Sequence, residues 1–211
     1  MTKIKAVIFD MDGVLIEAKD WHYEALNRAL GLFGLAISRY DHLVTYDGLP
    51  TKSKLKMISM ERGLPEKLHS FINTVKQIYT MEITYARCKP VFYHQYALSR
   101  LKHDGYRIVV CSNSIRRTVD VMMEQANLLE YLDFFLSNQD VTQPKPHPEM
   151  YLTAIQRLEL RPDQCLIIED NEHGIKAALA SGAHVLKVDC VEEVNYQNIL
   201  AKITFLEETT C

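Results

Sequence analysis

The sequence has no C-x-x-C pair, no long uninterrupted apolar segment, no surplus of basic charge and no internal repeat. Each absence removes a class of protein. Its five cysteines (88, 111, 165, 190 and 211) are odd in number and widely spaced, which argues against a disulfide framework or a zinc site. A reducing compartment, hence a cytoplasmic location, is the expectation. The apolar run near the start is broken by Asp10 and Asp12, so neither a secretory segment nor a membrane span is expected there or elsewhere. A net charge of −3 and a pI near 6.2 give no reason to expect nucleic acid or a membrane surface as a partner, although they leave room for local basic pockets. No heptad or edge signal decides the oligomeric state.

What is present is alternation. In the C-terminal half RIVVCSN (107–113), DFFLSN (133–138), CLIIED (165–170) and HVLKV (184–188) read as buried strands, from their β-branched and apolar runs. Between them lie helical patterns. Ile115, Val119, Met122 and Ala126 share one face; Pro148 opens a segment with Tyr151, Ala154, Ile155 and Leu158 on another; and GIKAALASG is stopped by Gly182. Strands alternating with helices predict a parallel sheet covered on both sides, an α/β fold.

The N-terminal half breaks this rhythm. A strand over 4–10 is followed by no convincing strand until Arg107, about a hundred residues on, whereas a parallel crossover needs on the order of a dozen to thirty. The surplus reads as helices near 20–33, 51–62 and 65–86, with 91–103 as the true crossover helix. The spacing therefore predicts an α/β core, residues 1–16 and 88–211, with a small helical domain, residues 17–87, inserted after the first strand.

Chemistry collects at four places. The strand AVIF runs out into Asp10-Met11-Asp12-Gly13, at the carboxyl edge where open α/β sheets bind ligands. Ser112 and Asn113 stand where a second strand meets a helix start, a place that suits a phosphate oxygen and equally a plain N-cap. Lys145 sits among Pro144, Pro146 and Pro148, on a stiffened loop. Glu169 and Asp170 end the strand LII. Acids crowded on one edge repel each other unless a cation lies between them, and oxygen ligands beside an anionic substrate point to Mg²⁺. Any one of these sites alone reads as well as a cap or a solvated side chain; four on one sheet edge do not.

FDMDGVL, SNS, the lysine of KPHP and EDNEHGIKAALASGA resemble, in order and spacing, the four motifs of the haloacid dehalogenase (HAD) superfamily, in its subfamily I of small phosphatases and β-phosphoglucomutase-like enzymes. The resemblance covers the whole chain, the insert only loosely. It implies a Rossmann-like core with a helical cap between the first and second motifs, and the 33 positions from Ser112 to Lys145 leave no room for a cap at the alternative place. It further implies that Asp10 attacks phosphorus to form an aspartyl-phosphate and that Asp12 moves protons to and from the leaving oxygen and water. Mg²⁺ is then held by Asp10, Asp170 and the backbone carbonyl of Asp12, with Glu169 acting through water. Ser112 and Lys145 hold phosphoryl oxygens and Asn113 supports them. Dehalogenases of this superfamily lack an acid at the place of Asp12, which favours phosphoester chemistry. Glu17 and Asn171 depart from the commonest pattern without removing a catalytic group.

In such a family specificity belongs to the cap. His22 after Trp21, and the stretch Tyr46-Asp47-Gly48-Leu49-Pro50-Thr51-Lys52, are the candidates, with His22, Gly48, Thr51 and Lys52 singled out for substrate contact. The bland readings place His22 on a helix surface, the Lys52-x-Lys54-x-Lys56 pattern on a solvated face, and Tyr79, Tyr85, Tyr93 and Tyr96 in packing. The expected function is a Mg²⁺-dependent phosphatase of a small phosphorylated metabolite, with a sugar phosphate as one candidate. The alternatives are a β-phosphoglucomutase-like phosphomutase and a non-catalytic phospholigand-binding module.

Overall fold

A computed structural model describes residues 3–209; Cys211, counted among the cysteines above, lies outside them. The chain runs through β1 (Ala6–Phe9), α1 (Lys19–Gly31), the short α2 (Arg39–Asp41), a π-helical turn at His42–Tyr46, α3 (Thr51–Arg62) and α4 (His69–Arg87). Then come α5 (Phe92–His103), β2 (Arg107–Cys111), α6 (Arg116–Gln125), β3 (Phe134–Leu136), α7 (Glu149–Arg157), β4 (Cys165–Glu169), α8 (Glu172–Ala180), β5 (His184–Lys187) and α9 (Tyr196–Thr209).

All five strands pair in parallel in the order β3-β2-β1-β4-β5, with β1 at the centre. Side-chain alternation then divides the strands between two layers. Val7, Phe9, Ile108, Val110, Leu166 and Ile168 pack on one face with residues of α5, α6 and α9. Ala6, Ile8, Val109, Cys111, Cys165 and Ile167 pack on the other with Met150, Tyr151 and Ala154 of α7 and Ala177 and Ala178 of α8. Both faces are buried, which is why the strands read as continuous apolar runs rather than as alternating ones.

The helices between β1 and α5 build a third apolar cluster of their own. Leu26, Ala29 and Leu30 of α1 meet Leu55 and Ile58 of α3 and Ile72 of α4. Gly63, at φ +70°, ends α3 in the left-handed conformation that a residue without Cβ adopts freely. The strands are a little shorter than the sequence predicts, and α9 and the π-helical turn were not anticipated. Cys88, Cys111 and Cys165 are buried thiols and Cys190 an exposed one; none is bridged among the described residues. No described helix is long and apolar enough to cross a membrane.

Register fixes the site. Phe9 lies opposite both Val110 and Ile168, so the residues that follow, Asp10, Cys111 and Glu169, leave the sheet at one level on its carboxyl edge.

Candidate active site

A cavity of about 160 Å³ opens between that edge and the inserted helices. From the core it is lined by Asp10, Asp12, Asn113, Ser114 and Lys145, and from the insert by Lys19, His22, Thr51, Lys52, Lys54 and Lys76, among others.

Its floor is a buried charge cluster. Lys145 Nζ donates to Asp10 Oδ1 (2.6 Å), Glu169 Oε1 (2.7 Å) and the Cys111 carbonyl (2.8 Å), which uses all three ammonium protons. The Tyr151 hydroxyl donates to the same Glu169 oxygen, and its ring centroid lies 4.6 Å from Lys145 Nζ. Burial alone would lower the Lys145 pKa, but the Asp10 and Glu169 charges outweigh it and raise it above the ordinary lysine value. Asp10 is pushed well above the usual carboxylate range, first by burial and then by Glu169, with Lys145 pulling the other way. Asp170 is raised too, by burial most of all and against the pull of Lys19, whose Nζ stands 2.6 Å from Asp170 Oδ2.

Asp10, Glu169 and Asp170 each offer a carboxylate oxygen, all within 4.8 Å of one another. This hard, all-oxygen set fits Mg²⁺, and the backbone is shaped to keep it open. A Cβ on Gly13, at φ +89°, would collide with the Asp170 carboxylate, and one on Gly174 with that of Glu169. The Asp12 carboxylate is not part of the set.

Asp12 faces the insert instead. Its Oδ1 lies 3.0 Å from His22 Nε2, and its Oδ2 accepts from Ser114 Oγ (3.1 Å) and, at 3.5 Å, from Ser112 Oγ. Lys76 Nζ stands 3.3 Å from His22 Nδ1. With Lys76 as the donor, Nδ1 accepts and the Nε2 proton points at Asp12. Burial tends to raise the Asp12 pKa, but His22, Ser114 and Lys76 together hold it below the ordinary value. His22 is itself lowered, by burial and then by Lys76, against the pull of Asp12.

The sequence candidates thus meet, though not always in the expected capacity. Ser112 is fully buried, and its Oγ accepts from Ser114 N. Asn113 gives both side-chain amide hydrogens away, to the carbonyls of Gly48 (3.0 Å) and Lys145 (3.1 Å), and accepts from Lys145 N, so its side chain clasps two loops and keeps no donor for a phosphate oxygen. Gly48, at φ +68°, permits that clasp; a Cβ there would crowd Asn171. Asn171 caps α8 through the Gly174 N–H, and Glu17 is exposed. His22 reaches Asp12 rather than lying on a helix surface. Lys52 is exposed on the cavity wall, whereas the reading of the lysine triplet as a solvated face fails at Lys54, which is 8% exposed. Tyr79 stacks under Arg28 and Tyr85 is exposed, as packing and surface residues rather than a sugar platform.

Sequence reasoning missed Lys19, Ser114, Lys54, Lys76 and the hydroxyl of Tyr151. The one available signal was that Lys76 and Lys54 lie beside the apolar faces of their helices, close to Ile72 and to Leu55 and Ile58.

The profile of the haloacid dehalogenase-like hydrolases matches residues 7–188. A probable pseudouridine-5′-phosphatase of Saccharomyces cerevisiae is 27% identical over 88% of this chain and 82% of its own. A phosphorylated carbohydrates phosphatase of Thermotoga maritima is 25% identical over 85% and 82%. Among solved structures, β-phosphoglucomutase from Clostridium difficile superposes with a TM-score of 0.83 at 22% identity, over 96% of this chain and 98% of that one.

Proposed function

This chain belongs to the haloacid dehalogenase-like hydrolase family, and we propose that it is a Mg²⁺-dependent phosphatase of a small phosphorylated metabolite, working through a phosphoryl group carried on Asp10. The observation that carries this reading is the division of labour between two acids on one strand exit. Asp10 is buried among cationic and acidic partners at the floor, while Asp12 is held across the cavity by His22 and Ser114.

Asp10 is the nucleophile. Its Oδ1 is pinned by Lys145, which keeps one face of the carboxylate fixed toward the cavity and, with Glu169 and Tyr151 behind it, prevents rotation. Asp12 is the general acid that protonates the leaving oxygen and then the base that deprotonates the attacking water. The His22–Lys76 pair, reached from α1 and α4, orients that carboxylate, so the proton-handling geometry depends on the insert (residues 17–87) being seated on the core. Asp10 and Asp170, with Glu169 behind them, would hold Mg²⁺, which supplies charge neutralisation for the approach of an anionic phosphoryl group. Ser112 and Ser114 supply hydroxyls on the same side, and Asn113 holds the loops of Gly48 and Lys145 in place.

The cavity volume, about 160 Å³, lies below the ~300–1,000 Å³ of sites for drug-sized ligands, which supports a metabolite of few atoms. Two relatives bear phosphatase names, in line with a hydrolytic reaction.

One feature favours a second reading, a phosphomutase. The clasp of Asn113 on Gly48 draws the insert down over the site, as an enzyme that must exclude water requires. A non-catalytic module is disfavoured because Asp10, Asp12, Lys145, Glu169 and Asp170 are all in place. The test is phosphate release from a panel of small phosphate esters with Mg²⁺ and with EDTA. Mg²⁺-dependent release supports the phosphatase; isomerised ester without free phosphate replaces it with the mutase.

A further inference from the structure

We propose that the cavity holds a second anion subsite, formed by Lys54 and the N-terminus of α3, and that the substrate carries a carboxylate or second phosphate there, apart from the phosphoryl group at Asp10. The inference rests on the phosphoryl-transfer reading of the floor and names what the other end of the substrate must be.

Lys54 lines the cavity and is more than nine-tenths buried. Among the described residues its ammonium enters no hydrogen bond or ion pair; Asp47 and Asp12 act on it only at longer range. A buried cation without a partner is costly, and structures keep one where a ligand supplies the counter-charge. Every other lysine of the cavity wall that is buried has found a partner. Lys145 is saturated by Asp10, Glu169 and Cys111, and Lys76 is on His22. Lys54 is the one left for a ligand.

The helix that carries it adds a second, independent element. Twelve residues long, α3 begins at Thr51 on the cavity wall, and Pro50 before it provides no capping side chain. The Ser53 and Lys54 N–H groups turn back onto the Pro50 carbonyl, while those of Thr51 and Lys52 have no side-chain cap and bring the positive end of the helix dipole to the same wall. Burial holds the Lys54 pKa down at about 8, and an anion beside it restores the charged form. The floor cannot serve this second group, because the phosphoryl group on Asp10 takes that place. Asp47, whose charge acts on Lys54 from the insert, stands 3.9 Å from Lys19, which it also serves.

The test compares three esters of one chain length: propyl phosphate, the phosphate ester of β-hydroxypropionate, and propanediol bisphosphate. Binding is measured calorimetrically on the full chain in EDTA, where nothing turns over, and phosphate release separately with Mg²⁺. The doubly anionic esters are expected to bind about 10- to 100-fold more tightly than propyl phosphate, and whichever of the two is favoured identifies the second group as carboxylate or phosphate. Lys54→Met should collapse the ratio toward one, while Lys54→Arg, which keeps the charge, should retain most of it. Equal binding of all three esters, no detectable binding of the doubly anionic ones, or a ratio unchanged in a folded Lys54→Met protein overturns the subsite. Absence of Mg²⁺-dependent release from any ester overturns the phosphatase reading instead, and leaves the binding result to be judged by itself.

Discussion

Replacing His22 by alanine tests the part proposed for α1 in proton transfer. The substitution removes the Nε2 donor 3.0 Å from Asp12 Oδ1 and the Nδ1 acceptor of Lys76, while leaving Ser114 and Ser112 on the other carboxylate oxygen. The imidazole side chain is only 13% exposed, so the lost bond is to a carboxylate in a largely dry setting, worth about 1.5–3 kcal/mol. If that energy is expressed in the transition state, kcat falls about 10- to 150-fold. The acid limb of the pH profile should also move up, because His22 is among the groups that hold the Asp12 pKa down. The assay is steady-state phosphate release with Mg²⁺ across pH, alongside a melting curve to show that α1 remains seated. A His22→Ala enzyme with kcat within twofold of the parent and an unmoved acid limb would refute the orienting role.

Three other outcomes follow from the same geometry. Lys145→Met leaves Asp10 and Glu169 buried without their shared cation and should cost about 3–5 kcal/mol in urea unfolding in EDTA. Because an unpaired buried carboxylate has its folded-state pKa raised above the unfolded one, part of that loss should return as pH falls; a loss that deepens in acid contradicts the argument. Gly174→Ala puts a Cβ against the Glu169 carboxylate and should lower the melting temperature by several degrees, an overpacking cost of about 1–3 kcal/mol; an unchanged melting curve contradicts the close approach. Lys76 and Lys54 are lowered to about 7 and about 8, chiefly by burial. Anionic esters should therefore show a KM that climbs from about pH 7 to 9 as both lysines lose charge, while stability in urea rises between about pH 7 and 8.5, where the unfolded chain binds more protons. A flat KM, or a midpoint falling with pH, sinks that reading.

Much of the fold and of the site floor was legible because it rests on local rules. The apolar runs of Val7–Phe9, Val109–Cys111 and Leu166–Ile168 are buried on both faces and announce themselves as central parallel strands, and their register alone brings Asp10 and Glu169 together. The long gap between β1 and β2 announces the helices that lie there, α1, α3, α4 and α5. The other wall of the site was not legible, because it is made by α1, α3 and α4 meeting the core, and no spacing rule says which lysine of a helix turns inward. Lys52, Lys54 and Lys56 look alike in sequence, yet only Lys54 is buried. Tyr151 was placed correctly on its helix face, but its hydroxyl reaches Glu169 across a strand–helix contact that no local pattern records. The segment of α9 carries only Ile199 and Ile203 as buried residues, a pair four apart that is too short a pattern to announce a helix by itself.

Whether Asp10 carries the phosphoryl group is read from the mass of the Asp10 peptide of enzyme quenched in acid during turnover. A phosphoryl adduct on Asp10 is expected that forms with substrate and Mg²⁺ and is absent with EDTA, together with loss of turnover in a folded Asp10→Asn variant. Turnover at near-normal rate in that variant, or an adduct on any other residue, would contradict it.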